Sequence, residues 1–309
     1  MKLISIVTPA YNEQENVLEV YRQTKEVFTH LPGYRYEHIF IDNASTDRTV
    51  SILRELAAAD ANVKVIVNAR NFGPIRSPYY GLLQSTGDAA VLLVADLQDP
   101  PRLIKDFVEA WEKGAKMVFG VKTQSGEFCL FFLIRTLYYK LVTRLSDTKL
   151  VKHFTGFGLY DRVVLETLRK IDDPYPYLRG LVMEIGFEPA IIPYYQPARK
   201  RGVTKNNAYV LYDFAMLGIT SHSKVPLRIA TMLGFLLSTF GIVVAFGYFI
   251  AKLIFWNVFA AGIAPLVIGG FIFCSLQLFF IGLLGEYIAA IHTQVLRRPL
   301  VVEKERINF

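Results

Sequence analysis

Cysteine is scarce in this chain of 309 residues, which contains only Cys129 and Cys274. Two cysteines are too few, and too differently placed, for a disulfide framework or a zinc site. The sequence also lacks a charged leader followed by an apolar segment, because residues 3 to 7 already form a strand-like run. No internal repeat or low-complexity tract is present. These absences predict a chain without a signal peptide, whose water-exposed part lies in the cytoplasm with reduced thiols.

Hydrophobic residues are abundant, at 52% of the chain with a mean hydropathy of +0.31, although 20% of the residues are charged. The apolar excess is concentrated in residues 229 to 251 and 263 to 285, which are nearly free of charge. Each stretch exceeds the roughly 20 residues that an α-helix needs to cross a bilayer. Both contain glycines, which close-packed membrane helices tolerate. We therefore predict two transmembrane helices whose glycines allow a homo-oligomer, with two buried core helices as the alternative.

Basic residues surround the two predicted spans unevenly. The flanking segments contain Lys224, Arg228, Arg297, Arg298, Lys304 and Arg306, whereas the connecting loop contains only Lys252, near its start. The positive-inside rule then places both termini in the cytoplasm, and Phe255, Trp256 and Phe259 suit an aromatic belt on the far side. Anionic lipid headgroups explain the net charge of +7 better than nucleic acid does. The sequence predicts a multi-pass protein of the inner (plasma) membrane with the bilayer, and no nucleic acid, as a partner.

The first 122 residues alternate short β-rich runs with helical stretches, which is typical of an α/β fold with a parallel sheet. The predicted strands are residues 3 to 8, 36 to 41, 63 to 67, 89 to 94 and 117 to 121. Ligands of such sheets bind beyond the carboxyl ends of the strands. Two amphipathic stretches, residues 128 to 145 and 208 to 219, suit a membrane surface. We expect a cytoplasmic domain at 1–206, an interfacial segment at 207–227 and a membrane hairpin at 228–309.

Acidic and amide side chains follow the fourth predicted strand in the segment VADLQDPP, residues 94 to 101. Asp96, Gln98 and Asp99 lie where oxygen ligands could hold a divalent ion that bridges a diphosphate. For Asp99 the alternative is a structural one, because it could cap a helix that starts at Pro100. Asp42 ends the second predicted strand, where a carboxylate can accept hydrogen bonds from a base or a ribose.

Cationic side chains occupy two further segments. Arg70 follows the third predicted strand and could pair with a phosphate, although an arginine at such a point often forms a surface ion pair. The segment ARKRGVTK contains Arg199, Lys200, Arg201 and Lys205. These four cations predict either adhesion to anionic lipid or a loop that captures phosphate groups. Gly202 and Thr204 interrupt the run, which favours the loop.

Five segments in this order, together with the membrane hairpin, resemble the family 2 glycosyltransferases of the dolichyl-phosphate mannose synthase type. They are TPAYNEQENV at 8 to 17, IDNASTDRT at 41 to 49, ARNFG at 69 to 73, ADLQDPP at 95 to 101 and RKRGVTK at 199 to 205. The chain is most similar to the bacterial polyisoprenyl-phosphate glycosyltransferases that carry a C-terminal pair of spanning helices. The resemblance covers essentially the whole chain.

This resemblance implies a GT-A (Rossmann-like) fold and an inverting transfer from a UDP- or GDP-type sugar to a polyisoprenyl phosphate such as undecaprenyl phosphate. It implies Mg²⁺ or Mn²⁺ as the cofactor, bound by Asp96 and Gln98. The nucleotide sugar would be bound by Pro9, Tyr11, Glu13, Asp42, Arg70 and Asp96. Arg199, Arg201 and Lys205 would contact the lipid phosphate and the diphosphate. The candidates for direct roles in catalysis are Asp96, Arg201, Lys205 and Asp161.

Two positions depart from the family pattern. Val94 replaces the first carboxylate of the usual metal motif, so one metal ligand is missing. In FTGFGLYDR, residues 154 to 162, Gly156 occupies the position of an acid. Asp161 is the remaining carboxylate of that segment, and its place in the motif matches the start of a helix better than a catalytic role.

Two other functions are compatible with parts of the sequence. The weakened metal motif allows a catalytically silent nucleotide-sugar sensor, or a scaffold for the export of lipid-linked sugars. A processive polysaccharide synthase shares the predicted core but needs more spanning helices and a QxxRW motif, to which the nearest match is residues 294 to 298 without the Trp. The identity of the sugar does not follow from the sequence.

Overall fold

The computed structural model describes residues 1–125, 151–197, 225–255 and 263–309, with a few positions between 216 and 223. Several predicted features lie outside the described residues. They are the amphipathic stretch at 128 to 145, the basic segment at 199 to 205, most of the stretch at 208 to 219, Trp256 and Phe259.

One mixed sheet with helices on both faces forms the body of the chain. Its eight described strands are β1 (Lys2–Ala10), β2 (Tyr34–Asp42), β3 (Val63–Asn68), β4 (Ala89–Leu92), β5 (Met117–Ser125), β6 (Phe154–Asp161), β7 (Ala190–Gln196) and β8 (Glu303–Ile307). They are arranged in the order β7-β5-β6-β4-β1-β2-β3-β8. The helices that connect them are α1 (Val17–Thr29), α2 (Thr49–Ala59), α3 (Gly73–Leu83), α4 (Leu103–Glu112), α5 (Arg162–Lys170) and α6 (Leu178–Glu184).

All five predicted strands are confirmed, and β1 pairs in parallel with both β2 and β4. These five strands all run in the same direction, as predicted, but the sheet as a whole is mixed. Strand β6 lies antiparallel between β4 and β5, and β8 pairs antiparallel with β3 at the edge. Both antiparallel strands come from parts of the chain in which no strand was predicted.

The core is built on the central strands, whose side chains are buried on both faces, as is typical of strands covered by helices on each side. Helix α3 packs very close to this layer at Gly81. A Cβ atom there would lie 2.8 Å from Cγ1 of Val7 and 3.1 Å from Cγ2 of Ile41. Only glycine therefore permits this approach of α3 to the sheet.

Two long apolar helices follow, α7 (Val225–Ile254) and α8 (Ile263–Leu296). Within the described residues, Val225–Ala251 and Gly269–Leu296 are long and apolar enough to cross a membrane. Most of their large apolar side chains are exposed, which argues against the alternative of two buried core helices. The 34 residues of α8 extend over about 51 Å, which exceeds the roughly 30 Å of bilayer hydrocarbon. Helix α8 is therefore longer than a helix that crosses this hydrocarbon at a right angle.

The carboxyl-terminal end of α8 is joined to the sheet by the last residues of the chain. Strand β8 follows α8 after a short link and adds to β3, and the backbone N–H of Ala69 donates to the carbonyl of Val302 at 2.8 Å. Arg54 on α2 forms an ion pair of 2.5 Å with Glu305. The first and last strands thus belong to one sheet, with both long helices between them in sequence.

Candidate active site

The loops after β1 and β2 interlock at the carboxyl edge of the sheet. The backbone N–H of Asn12 donates to Oγ of Ser45 at 2.8 Å, and the N–H of Thr46 donates to Oδ1 of Asn12 at 2.7 Å. Asn12 is in the left-handed region, with a φ of 54°, and this conformation turns the loop toward β2. Pro9, near the end of β1, and the following loop with Tyr11 and Glu13 are therefore held beside the end of β2.

Asp42 is the most deeply buried acid of this edge, with 0% of its surface exposed. Its Oδ2 accepts a hydrogen bond of 2.9 Å from the N–H of Ser45. Its other oxygen, Oδ1, is buried without a hydrogen-bond partner among the described residues. Burial raises the pKa of Asp42 above its ordinary value, although hydrogen bonds from Ser45 oppose the shift. A ligand hydroxyl or N–H that donates to Oδ1 would satisfy this carboxylate.

An amide network fixes the turn after β3 against the end of β2. Asn43 donates from Nδ2 to Oδ1 of Asn71 at 2.8 Å, and its own Oδ1 accepts from Nδ2 of Asn68 at 3.1 Å. The N–H of Phe72 donates to the same Oδ1 of Asn43 at 2.9 Å. No role was predicted for Asn68, although its place at the end of β3, next to β2, could have indicated a contact with Asn43.

Arg70, predicted to contact the donor, extends along this turn. Its guanidinium carbon lies 4.0 Å from the ring centroid of Phe72, and Nη1 donates to the carbonyl of Asn71 at 3.1 Å. It lines a cleft of about 360 Å³ together with Arg76 and Arg298. Arg298 belongs to the link between α8 and β8, so this basic cleft lies where the sheet meets that link.

The predicted metal loop follows β4. Asp96 and Gln98 are partly exposed, and Oδ1 of Asp96 accepts a hydrogen bond of 3.1 Å from the N–H of Gln98. Leu97 between them has a φ of 59°, in the left-handed region that residues with a Cβ rarely adopt. The loop therefore makes a tight turn at Leu97, with the oxygen-bearing residues Asp96 and Gln98 on either side of it.

Asp99 does not cap a helix, so the structural alternative proposed from the sequence is wrong. Helix α4 begins at Leu103, and its N-cap residue Arg102 provides no side-chain cap. Asp99 is instead 4% exposed and accepts a hydrogen bond from the hydroxyl of Tyr194 on β7. Burial raises the pKa of Asp99, whereas the charge of Lys122 and the bond from Tyr194 lower it. Sequence reasoning missed Tyr194 and Lys122, because strand pairing brings them to this loop from distant positions.

A divalent ion fits this loop only in part. Mg²⁺ and Mn²⁺ prefer six oxygen ligands, and Asp96 and Gln98 supply two side chains. Among the described residues, no group of three or more His, Cys, Asp or Glu side chains could hold an ion. Val94, at the position of the missing carboxylate, is 37% exposed. These residues can hold an ion together with diphosphate oxygens and water, but they do not form a complete protein cage.

Asp161 and Asp96 lie near opposite ends of strand β4. Asp161 pairs with Ala89 at the beginning of β4, whereas Asp96 follows the end of that strand. It caps α5 by accepting from the N–H of Val163 at 2.9 Å, and it also accepts from Nε1 of Trp111 at 2.7 Å. Asp161 therefore has the helix-starting role that its local sequence indicated, and it lies away from the strand ends that carry Asp42 and Asp96.

Gly156 is held in a conformation that suits glycine alone. Its φ is 105°, at which a residue with a side chain would be strained. A Cβ atom would find room, since the nearest heavy atom is Cδ2 of Leu92 at 3.5 Å. Backbone geometry, and not lack of space, therefore opposes an acidic residue at this position. Arg199, Arg201 and Lys205, which were predicted to contact phosphates, lie outside the described residues.

Comparison with known proteins agrees with this arrangement. The model of the family named glycosyl transferase family 2 matches residues 5–169. The uncharacterized glycosyltransferase YkcC of Bacillus subtilis is 34% identical over 96% of this chain and 92% of its own length. The bactoprenol glucosyl transferase of Shigella phage SfII is 32% identical over 98% of this chain and 97% of its own. A prophage bactoprenol glucosyl transferase homolog of Escherichia coli is 32% identical over 97% and 98%.

The matched region contains β1 to β6, with Asp42, Asp96 and Gln98 at the carboxyl edge of the sheet. The relatives are similar over almost their full length, so their likeness extends to the two long helices and the C-terminal strand as well. The chain has the GT-A fold and belongs to glycosyl transferase family 2.

Proposed function

We propose that the protein transfers a sugar, with inversion, from a nucleotide-diphosphate sugar to a polyisoprenyl phosphate at the cytoplasmic face of the membrane. The observation that carries the proposal is the buried Asp42, whose Oδ1 lacks a hydrogen-bond partner among the described residues, at the same carboxyl edge of the sheet as the Asp96 loop. Relatives named for bactoprenol, a polyisoprenyl alcohol, support undecaprenyl phosphate as the acceptor. The transferred group is a hexosyl or an N-acetylhexosaminyl group, and the relatives favour glucosyl.

The nucleoside of a UDP- or GDP-type donor binds where the ends of β1, β2 and β3 meet. Pro9 contacts it from the end of β1, and Tyr11 and Glu13 contact it from the following loop. Asp42 accepts a hydrogen bond from it, and Arg70 lies near its phosphates. Asp96 and Gln98 hold Mg²⁺ or Mn²⁺, which when bound neutralises charge on the diphosphate. Arg199, Arg201 and Lys205 screen the repulsion between the two phosphate-bearing substrates.

The acceptor supplies its own nucleophile. A phosphomonoester has its second ionisation near pH 6, so near neutrality its oxygen is already anionic. That oxygen attacks the anomeric carbon, the bond from this carbon to the diphosphate breaks, and the nucleoside diphosphate leaves with the bonding electrons. A protein base is therefore dispensable, which is consistent with Gly156 and with the remote position of Asp161. The protein contributes orientation and charge stabilisation.

The sheet also supports the proposed topology. Strands β1 and β8 belong to the same sheet, so the chain before α7 and the chain after α8 lie on one side of the membrane. An even number of crossings is required, and α7 and α8 supply two. We assign residues 1–206 to the cytoplasmic catalytic domain, 207–227 to an interfacial segment and 228–309 to the hairpin with its cytoplasmic tail, in a multi-pass protein of the inner membrane.

A donor screen tests the proposal. Purified full-length protein in lipid nanodiscs is given undecaprenyl phosphate and UDP-glucose, UDP-N-acetylglucosamine or GDP-mannose, and the release of nucleoside diphosphate is measured. We expect turnover with one donor that depends on the acceptor, with a loss of at least a hundredfold in Asp42→Ala and Asp96→Ala. Binding of UDP or GDP without turnover of any donor would instead identify a nucleotide-sugar sensor. A polymeric product would indicate a processive synthase.

A further inference from the structure

The turn that contains Asp96 and Gln98 includes a backbone conformation that its own residues disfavour. Leu97 adopts the left-handed conformation, which glycine, asparagine and aspartate adopt far more readily than leucine does. Such a conformation persists when the surrounding structure fixes it, and it is frequent at functional sites. The Leu97 side chain packs against the hydrophobic core below β1 and β4, which fixes one end of the turn.

The other end of the turn is fixed by Asp99. Its carboxylate accepts a hydrogen bond from the hydroxyl of Tyr194, and the two residues are 4% and 6% exposed. Tyr194 is itself held on β7, where its ring packs at 5.6 Å from the ring of Phe157 and its carbonyl accepts from Oγ1 of Thr123 at 3.1 Å. A carboxylate bound to a buried hydroxyl on a paired strand has little freedom to move.

We propose that Asp99 and Tyr194 are positioning residues, which hold the strained turn so that Asp96 and Gln98 face the same divalent ion. This inference rests on the proposed function. Asp99 directly follows Gln98, so a rotation of Asp99 about its backbone displaces the Gln98 side chain. Because Asp96 and Gln98 supply two of the six ligands, the orientation of each contributes strongly to the affinity for the ion. Hydrogen-bond partners of metal ligands typically change metal affinity by about 10- to 100-fold.

Tyr194→Phe isolates the hydrogen bond, because it removes the hydroxyl and retains the ring that packs on Phe157. The matched control is Tyr195→Phe, which makes the same chemical change on the neighbouring residue, whose side chain is 59% exposed. Asp99→Asn keeps an oxygen that can accept from Tyr194, whereas Asp99→Leu has none. The readout is the binding of Mn²⁺ by electron paramagnetic resonance in the presence of UDP, or of GDP if the wild-type protein uses a GDP-sugar. Thermal unfolding is recorded in parallel.

We expect Tyr194→Phe and Asp99→Leu to weaken Mn²⁺ binding by about tenfold or more. Tyr195→Phe and Asp99→Asn should remain within about threefold of wild type, and excess Mn²⁺ should restore most of the turnover of Tyr194→Phe. Unchanged Mn²⁺ affinity in Tyr194→Phe would overturn the inference. So would weak binding in Asp99→Asn with normal binding in Tyr194→Phe, because Asp99 would then be a direct ligand. Absence of turnover in the wild type would contradict the proposed function instead.

Discussion

At the scale of single residues, the backbone conformation at Gly156 is compatible with the glycine that stands where the family pattern has an acid. Its φ of 105° lies where a side chain strains the backbone, and its neighbours leave room for a Cβ atom. The backbone of β6 is therefore adapted to glycine. The loss of the acid is tolerable if the acceptor phosphate is already ionised, because a dedicated base then has no proton to remove.

Gly156→Asp should lower stability without raising activity. Strain of this kind costs about 1 to 3 kcal/mol, and the added carboxylate has no proton to accept from a phosphate dianion. The measurements are the free energy of unfolding and kcat at pH 7.5. Gly33→Asp is the control, because Gly33 has open space around it and no positive φ. A Gly156→Asp variant with wild-type stability and a clearly higher kcat would show that a base is useful after all.

Asp161→Asn should reduce stability in a way that depends on pH. Burial alone would raise the pKa of Asp161, but hydrogen bonds from Trp111, Val163 and Lys116 outweigh burial and lower it. Because the pKa of Asp161 is lower in the folded state, ionised Asp161 stabilises the fold at pH values above its ordinary pKa of about 3.9. This stabilisation is lost as the pH falls through the lower pKa of the folded state.

The stability difference between wild type and Asp161→Asn should therefore be largest near neutrality, at about 1 to 3 kcal/mol, and should shrink as the pH falls below about 4. Unfolding by urea at a series of pH values measures it. Turnover of the folded variant at pH 7 should stay within about tenfold of wild type. A loss of a thousandfold or more in a folded Asp161→Asn protein would restore Asp161 as a candidate base.

At the scale of elements, the strands that could be predicted are those with the composition typical of buried strands. β1 to β5 are rich in β-branched and apolar residues, and the rule that ligands lie beyond strand ends identified Asp42 and Asp96. β6 was missed because Gly156 and Gly158 interrupt its pattern, and β8 was missed because EKERI is almost entirely polar. Tyr194 reaches Asp99 only through the pairing of β5 with β7, which no local pattern contains.

The loop after β4 should bind its metal more tightly when the missing carboxylate is restored. Val94 is 37% exposed, so Val94→Asp adds an acid beside the loop without burying a charge. We expect the Mg²⁺ concentration for half-maximal rate to fall several-fold, because a further hard oxygen ligand replaces water. Val163→Asp is the control, since Val163 is 45% exposed at the opposite edge of the sheet. Full activity of the wild type in excess chelator would contradict metal dependence altogether.

At the scale of the whole molecule, the C-terminal strand joins the two long apolar helices to the α/β domain. β8 pairs with β3, and Asn308 donates from Nδ2 to the carbonyls of Ala57 and Val63 at 2.7 and 2.9 Å. The chain therefore enters α7 from this domain and returns to the same sheet after α8. The positive-inside rule predicts from charge alone that both ends of the helix pair face the same side of a membrane, and a shared sheet is compatible with that prediction.

Because the chain before α7 and the chain after α8 contribute strands to one sheet, we can predict which side of the membrane each part of the chain faces. Single cysteines are introduced as Lys113→Cys in the catalytic domain, Asn257→Cys between the long helices and Val302→Cys before β8, in a background with Cys129 and Cys274 replaced by alanine. Whole cells are treated with a membrane-impermeant maleimide before and after permeabilisation. We expect Asn257→Cys to react in intact cells, and the other two to react only after permeabilisation.

Lys113 is exposed and Val302 is 51% exposed, so an unreactive cysteine at either site reflects the membrane and not burial. Opposite sidedness of Lys113→Cys and Val302→Cys is incompatible with β1 and β8 in one sheet. Labelling of all three from one side would mean that α7 and α8 lie along the membrane and do not cross it.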